Sequence, residues 1–107
     1  LSPRDPRIFG YYLQLSVALL VLGEVEESQR QIQQALLHGN DDPWGHLVLA
    51  VTSHLMGDSD SSKAAFRTSQ LLDSSLSVSR LQSIYHGMDP GYRAQLAQYF
   101  ESVGLPR

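Results

Sequence analysis

Between residues 8 and 22 the chain is apolar on nearly every side: Phe9, Tyr11, Tyr12, Leu13, Leu15, Val17, Leu19, Leu20, Val21 and Leu22, broken only by polar Gln14 and Ser16 and a few small residues. This pattern predicts a first helix over 8–22, opened by Asp5 as cap and Pro6 at its first position. The run falls short of the about 20 apolar residues that cross a membrane. A helix that is oily all round must be covered all round. The next two helices can cover two flanks, and a third flank has no obvious cover within the chain. A second helix is expected over 25–38. Val25, Ile32, Ala35 and Leu36 form its inner stripe, and Gln29, Arg30, Gln31, Gln33 and Gln34 its wet face. Glu24, Glu26 and Glu27 crowd its start, where the helix dipole favours negative charge. Gly39-Asn40 ends it.

Asp42-Pro43 opens a third helix that runs to about residue 56. A fourth is expected over 60–72, capped by Asp58 or Ser59, with Ala65, Phe66, Leu71 and Leu72 facing inward. After a serine-rich joint at 74–79 comes a short fifth helix over 77–85, carrying Leu81 and Ile84 and stopped by Gly87. Asp89-Pro90 then opens a sixth over 91–103. Tyr92, Leu96, Tyr99, Phe100 and Val103 recur along it at helical spacing, and Gly104 and Pro106 end it.

The first two helix pairs repeat. With Gly23 set against Gly57, Leu15 meets Leu49, Ser16 meets Ala50, Leu19 meets Ser53, Ser28 meets Ser62, Ile32 meets Phe66 and Ala35 meets Ser69. Two helices joined by a tight bend nest only where small residues let the backbones approach and a bulky neighbour fills the gap. Glycine supplies the left-handed backbone at the bend. This 34-residue pattern resembles the tetratricopeptide repeat, a helix–turn–helix unit. Repeat one would span 9–42 and repeat two 43–76, with closing helices over 77–107. The match is degenerate: Ser28, Ser62 and Ser69 stand where that family usually has alanine, and Asn40 and Ser74 where it usually has proline. The fold class expected is all-α, with tetratricopeptide-like hairpins wound as a right-handed superhelix. The competing expectation is an ordinary helical bundle with accidental equal spacing.

A narrower resemblance rests on the lead-in Leu1-Ser2-Pro3-Arg4-Asp5-Pro6-Arg7 and on the ending Met88-Asp89-Pro90-Gly91-Tyr92-Arg93 through Val103-Gly104-Leu105-Pro106. These are similar to the repeat region that follows a nucleotide cyclase or winged-helix domain in some bacterial regulators. The resemblance implies a cytoplasmic fragment of a longer signalling protein, in which an earlier repeat covers the bare flank of the first helix. It implies a non-catalytic scaffold that binds a protein, a peptide or its own upstream domain. The alternative is a homodimerisation unit of a winged-helix regulator, pairing through the first helix.

Composition narrows the chemistry. The net charge is −3 with no block of like charge, which argues against direct contact with nucleic acid. Cysteine is absent, so there are no disulfides and no thiolate ligands. Of the four histidines, His46 and His54 lie eight apart, and His38 and His86 sit at helix ends. None has the spacing that puts two ligands on one helical face, so no metal site is expected. The acidic stretch from Gly57 to Ser62 lacks the central glycine and distant glutamate of a calcium loop. With no phosphate loop and no nucleophile elbow, no catalytic residue and no cofactor are assigned.

The remaining candidate is an apolar groove. In a repeat superhelix the first helix of each pair lines the concave side. Leu13, Val17 and Leu20 make that stripe on the first helix, and Trp44, Leu47, Val51 and His54 make it on the third. Residues inside the pairs are different ones: Tyr12, Leu15, Ser16, Leu19, and Leu49, Ala50, Ser53. Two outcomes are open for the stripe: a docking groove for a partner helix or peptide, or a surface that the last helix folds back to fill.

Overall fold

A computed structural model of the chain describes residues 6–107. Six helices follow one another: α1 (Pro6–Val21), α2 (Val25–His38), α3 (Pro43–Leu55), α4 (Ser59–Leu72), α5 (Val78–Ile84) and α6 (Pro90–Ser102). No strand occurs among the described residues. The expected cap at Asp5 lies outside them. The other starts follow the sequence closely. Asp42 accepts hydrogen bonds from the amides of Trp44 and Gly45, Asp58 from Ser61, and Asp89 from Gly91 and Tyr92. Ser77 accepts from Arg80 and starts α5. Each cap answers one or two of the amides that a helix start leaves without an internal partner.

The bends after α1 and α3 are built alike. Gly23 has φ +84° and Gly57 φ +82°. The Gly23 amide donates to Leu20 O and the Glu24 amide to Leu19 O; 34 residues on, Gly57 donates to His54 O and Asp58 to Ser53 O. These crossed bonds satisfy the last carbonyls of each helix while the left-handed glycine reverses the chain. Gly104 (φ +110°) closes α6 in the same way and turns Leu105 into the core. Gly39 works differently. Its backbone is extended, and a Cβ there would lie 2.8 Å from Cδ2 of Phe9. Closeness to α1, not a left-handed turn, is what calls for glycine at that site.

Serines mark where the helices nest. The Ser28 hydroxyl donates to Ser16 O at 2.7 Å, and the Ser62 hydroxyl donates to Ala50 O at 2.8 Å. The two bonds are separated by the repeat period, and each ties the second helix of a pair to the first. Ser16 returns the contact by donating to Ser28 O at 2.8 Å, so the α1–α2 pair is clasped from both sides. Ser16, Ser28, Ser53, Ser62 and Ser69 are all buried. A hydroxyl adds little bulk over alanine and finds a backbone acceptor, so burial does not strand it. Between the pairs, α2 lies against α3, and the Gln29 side-chain amide donates to the Ser53 hydroxyl at 3.2 Å.

The closing helices fold back. α6 packs against α5, α3 and α1. Leu96 and Phe100 enter the common core with Leu20, Leu47 and Val51, while Leu76, Val78 and Leu81 close it from the α4–α5 side. The Val78 amide donates to Pro106 O, which fastens the start of α5 to the chain's end. The radius of gyration is 12.7 Å and the principal extents are 36 × 31 × 27 Å. That is a globule near the about 13 Å expected for a domain of this size, not an elongated rod.

Some inward assignments do not hold. Leu71 is 81% exposed, and Leu72, Ile84 and Tyr92 are exposed as well. Leu71 stands half a turn round α4 from the buried line of Ser62, Ala65 and Ser69, so it faces away from α3, as its counterpart Leu37 (71% exposed) faces away on α2. On α2, Ile32 and Ala35 are buried, whereas Val25 and Leu36 are half-buried.

Candidate interaction surface

The stripe expected to line a groove is already occupied. Val17, Leu20, Leu47 and Val51 are fully or almost fully buried, and Leu13 and Trp44 are half-buried against the same core. Phe100 meets Trp44 edge-to-face, with ring centroids 6.4 Å apart. The Gln95 side-chain amide reaches Val21 O at 3.2 Å and fixes α6 along α1. Of the seven stripe residues only His54 is exposed, beside Lys63 and Val103 rather than in line with the others. Of the two outcomes the sequence left open, a groove or a surface filled by the last helix, the burial of these positions follows the second. Their stripe is the seat of α6, because Leu96 and Phe100 supply the apolar surface that would otherwise have to come from elsewhere.

A different apolar face is bare. On α1, Tyr11, Leu15, Ala18 and Leu22 recur at steps of four, three and four, which aligns them on one line of the helix and its final bend. Tyr11 is 65% and Leu22 67% exposed; Ala18 is exposed and Leu15 half-buried. Beside the Leu22 end, Ala18, Val21 and Leu22 face Met88 and Tyr92 across a hollow of about 240 Å³. No formal charge falls between Arg7 and Glu24.

The second pair shows what such a face does when covered. Moving along the sequence by the repeat period carries Tyr11, Gln14, Leu15 and Ala18 onto Gly45, Val48, Leu49 and Thr52. Gly45, Val48 and Thr52 are buried, and Leu49 is half-buried. Leu36 of α2 and Phe9 of α1 lie over Gly45. Tyr11, Gln14 and Ala18 are exposed at the equivalent places. Only the last step, Leu22 against Met56, is exposed in both pairs. The sequence signalled this face as the uncovered flank of an all-round apolar helix. It did not single out the residues, because α1 carries apolar side chains in every direction.

The polar groups brace loops. Asp73 accepts from both the hydroxyl and the amide of Ser75 and from the guanidinium of Arg80. These contacts, the Ser75 hydroxyl first, hold its carboxyl down to about 2 from its ordinary 3.8. Burial pushes the Tyr85 hydroxyl up; a hydrogen bond with Gln14 opposes this and the charge of Asp42 adds to it. His38 stacks on Tyr12, and His46 and His86 each contact a nearby backbone carbonyl, those of Asn40 and Ser83. No three His, Cys, Asp or Glu side chains converge as a metal site among the described residues. No described helix is long and apolar enough to cross a membrane. No family model, no curated protein and no solved structure matches the chain.

Proposed function

We propose that this chain is a non-catalytic protein-interaction module of the tetratricopeptide type, and that its contact surface is the outer face of α1. The single observation that carries this is the contrast between equivalent positions. Gly45 lies under Leu36 and Phe9 of the preceding pair, and Val48 and Thr52 are buried, while Tyr11, Gln14 and Ala18, one period earlier, are exposed. An apolar face with a covered twin in the same molecule is a surface shaped for a helical neighbour. The matching glycine bends and the matching Ser28 and Ser62 hydrogen bonds support reading the two pairs as repeats of one unit, and the proposal takes their stacking to be that of a right-handed superhelix. Repeat units of this kind gain stability from their neighbours. The resemblance to the repeat regions of bacterial nucleotide cyclases and winged-helix regulators extends the proposal to a scaffold within a longer signalling protein.

The test is to add a second copy of residues 9–42 directly before Phe9, so that its own second helix can lie on α1 as α2 lies on α3. In the added copy the counterpart of Leu36 is reduced to alanine, because Tyr11 is far larger than the Gly45 it replaces in that contact. The expected result is slowed amide exchange along α1 and a higher unfolding temperature. Unchanged exchange at residues 11–18 in a folded product rejects the reading.

A further inference from the structure

We infer that the occupant of the α1 face is a second copy of this chain, docked about a two-fold axis with the two α1 helices antiparallel. This rests on the reading of that face as a contact surface and adds the identity of the partner. The line on α1 has the same spacing from both ends, with bulky Tyr11 and Leu22 outside and Leu15 and Ala18 within. Set antiparallel to itself, it brings Tyr11 of each copy opposite Leu22 of the other, and Leu15 opposite Ala18. Large then meets small at the centre, which lets the helices approach. The ends fit in shape too. The hollow between Ala18, Leu22, Met88 and Tyr92 lies at the Leu22 end of the line, where the incoming Tyr11 ring arrives.

Charge fits as well. α1 carries Arg7 in its first turn, while Glu24 sits in the bend that follows it and Glu26 in the first turn of α2. Antiparallel docking brings the basic end of each copy to the acidic bend of the other, twice by symmetry. Parallel docking would set like charge against like. Between those ends nothing charged has to be stripped of water, so closing the face incurs no unpaired charge. Head-to-tail stacking of copies is less suitable. There α4 would take the role of α2, but the residue one period after the covering Leu36 is polar Gln70.

The test is molar mass by light scattering across a concentration series, alongside circular dichroism. Wild-type chain is expected to pass from monomer to dimer as concentration rises, more readily at low salt. Ala18→Glu places a charge in the middle of the seam on an exposed helical position. It should keep full helicity and weaken association on the order of 100-fold or more. Leu71→Glu removes a still more exposed leucine far from this face and should leave association unchanged. Arg7→Glu should weaken the dimer by a few-fold at low salt, as rim charges do, and combining it with Glu24→Arg and Glu26→Arg should restore it. A chain that stays monomeric at millimolar concentration overturns the inference, as does a dimer indifferent to Ala18→Glu. If α1 is nonetheless protected by the added copy of residues 9–42, self-association alone has failed and the interaction reading stands.

Discussion

Ser28 shows how one hydroxyl can serve a helix crossing that alanine would also fit. Its donation to Ser16 O, and the return from Ser16 to Ser28 O, link α1 and α2 from both sides. Ser28→Ala should cost about 1 kcal/mol in urea unfolding, the usual net value of such a bond. Ser16→Ala with Ser28→Ala should cost less than the sum of the single changes, because the two residues share one contact. Glycines divide by cause. At Gly23 and Gly57 an added Cβ meets nothing within 4 Å, so replacement by alanine carries only the left-handed backbone penalty, about 1–2 kcal/mol each. Gly39→Ala has no such penalty but pushes on the buried Phe9 ring. Its cost, about 1–3 kcal/mol for overpacking, should shrink when Phe9 is reduced to leucine. Asp73 carries the pH dependence. Its carboxyl is lowered in the folded chain, so its contribution is complete above the ordinary 3.8 and fades as pH falls toward about 2. Asp73→Asn should flatten that part of the acid limb in stability measured against pH. These assignments were only half readable beforehand. The serines stood out as departures from alanine, but their acceptors are backbone carbonyls, which carry no mark in a sequence.

At the scale of elements the helices themselves were legible. Asp-Pro pairs mark the starts of α3 and α6, and glycines mark the ends of α1, α3 and α6, so boundaries fall within a residue or two. The span 25–38 is reproduced as α2 without change. The destination of α6 was not legible. Leu96 and Phe100 announce an apolar face, and Trp44, Leu47 and Val51 announce another. Periodicity says that each needs a cover and leaves open which covers which. In the fold they satisfy one another, so α6 is an integral wall of the domain. Phe100→Ala should then cost about 3–5 kcal/mol, as for other buried aromatics. It should also change the emission of Trp44, the only tryptophan, whose ring stands edge-on to it. Leu71→Ser, by contrast, should leave stability within about 0.5 kcal/mol. An apolar residue on a helix joins the core only on the side that meets a neighbour, and Leu71 lies opposite the buried line of Ser62, Ala65 and Ser69.

For the whole molecule, the order of elements along the chain differs from the order in which surfaces are sealed. α1 and α2 meet across a three-residue bend, as do α3 and α4, so each pair can close as soon as its second helix exists. The inner side of α1 is finished only by α6, through partners such as Gln95 and Val21 that stand 74 residues apart. During synthesis α1 therefore has to wait until α6 has been made before its greasy side is sheltered. Until α6 has emerged and docked, Val17, Leu20, Leu47 and Val51 lack their cover and are open to capture by chaperones or by other copies.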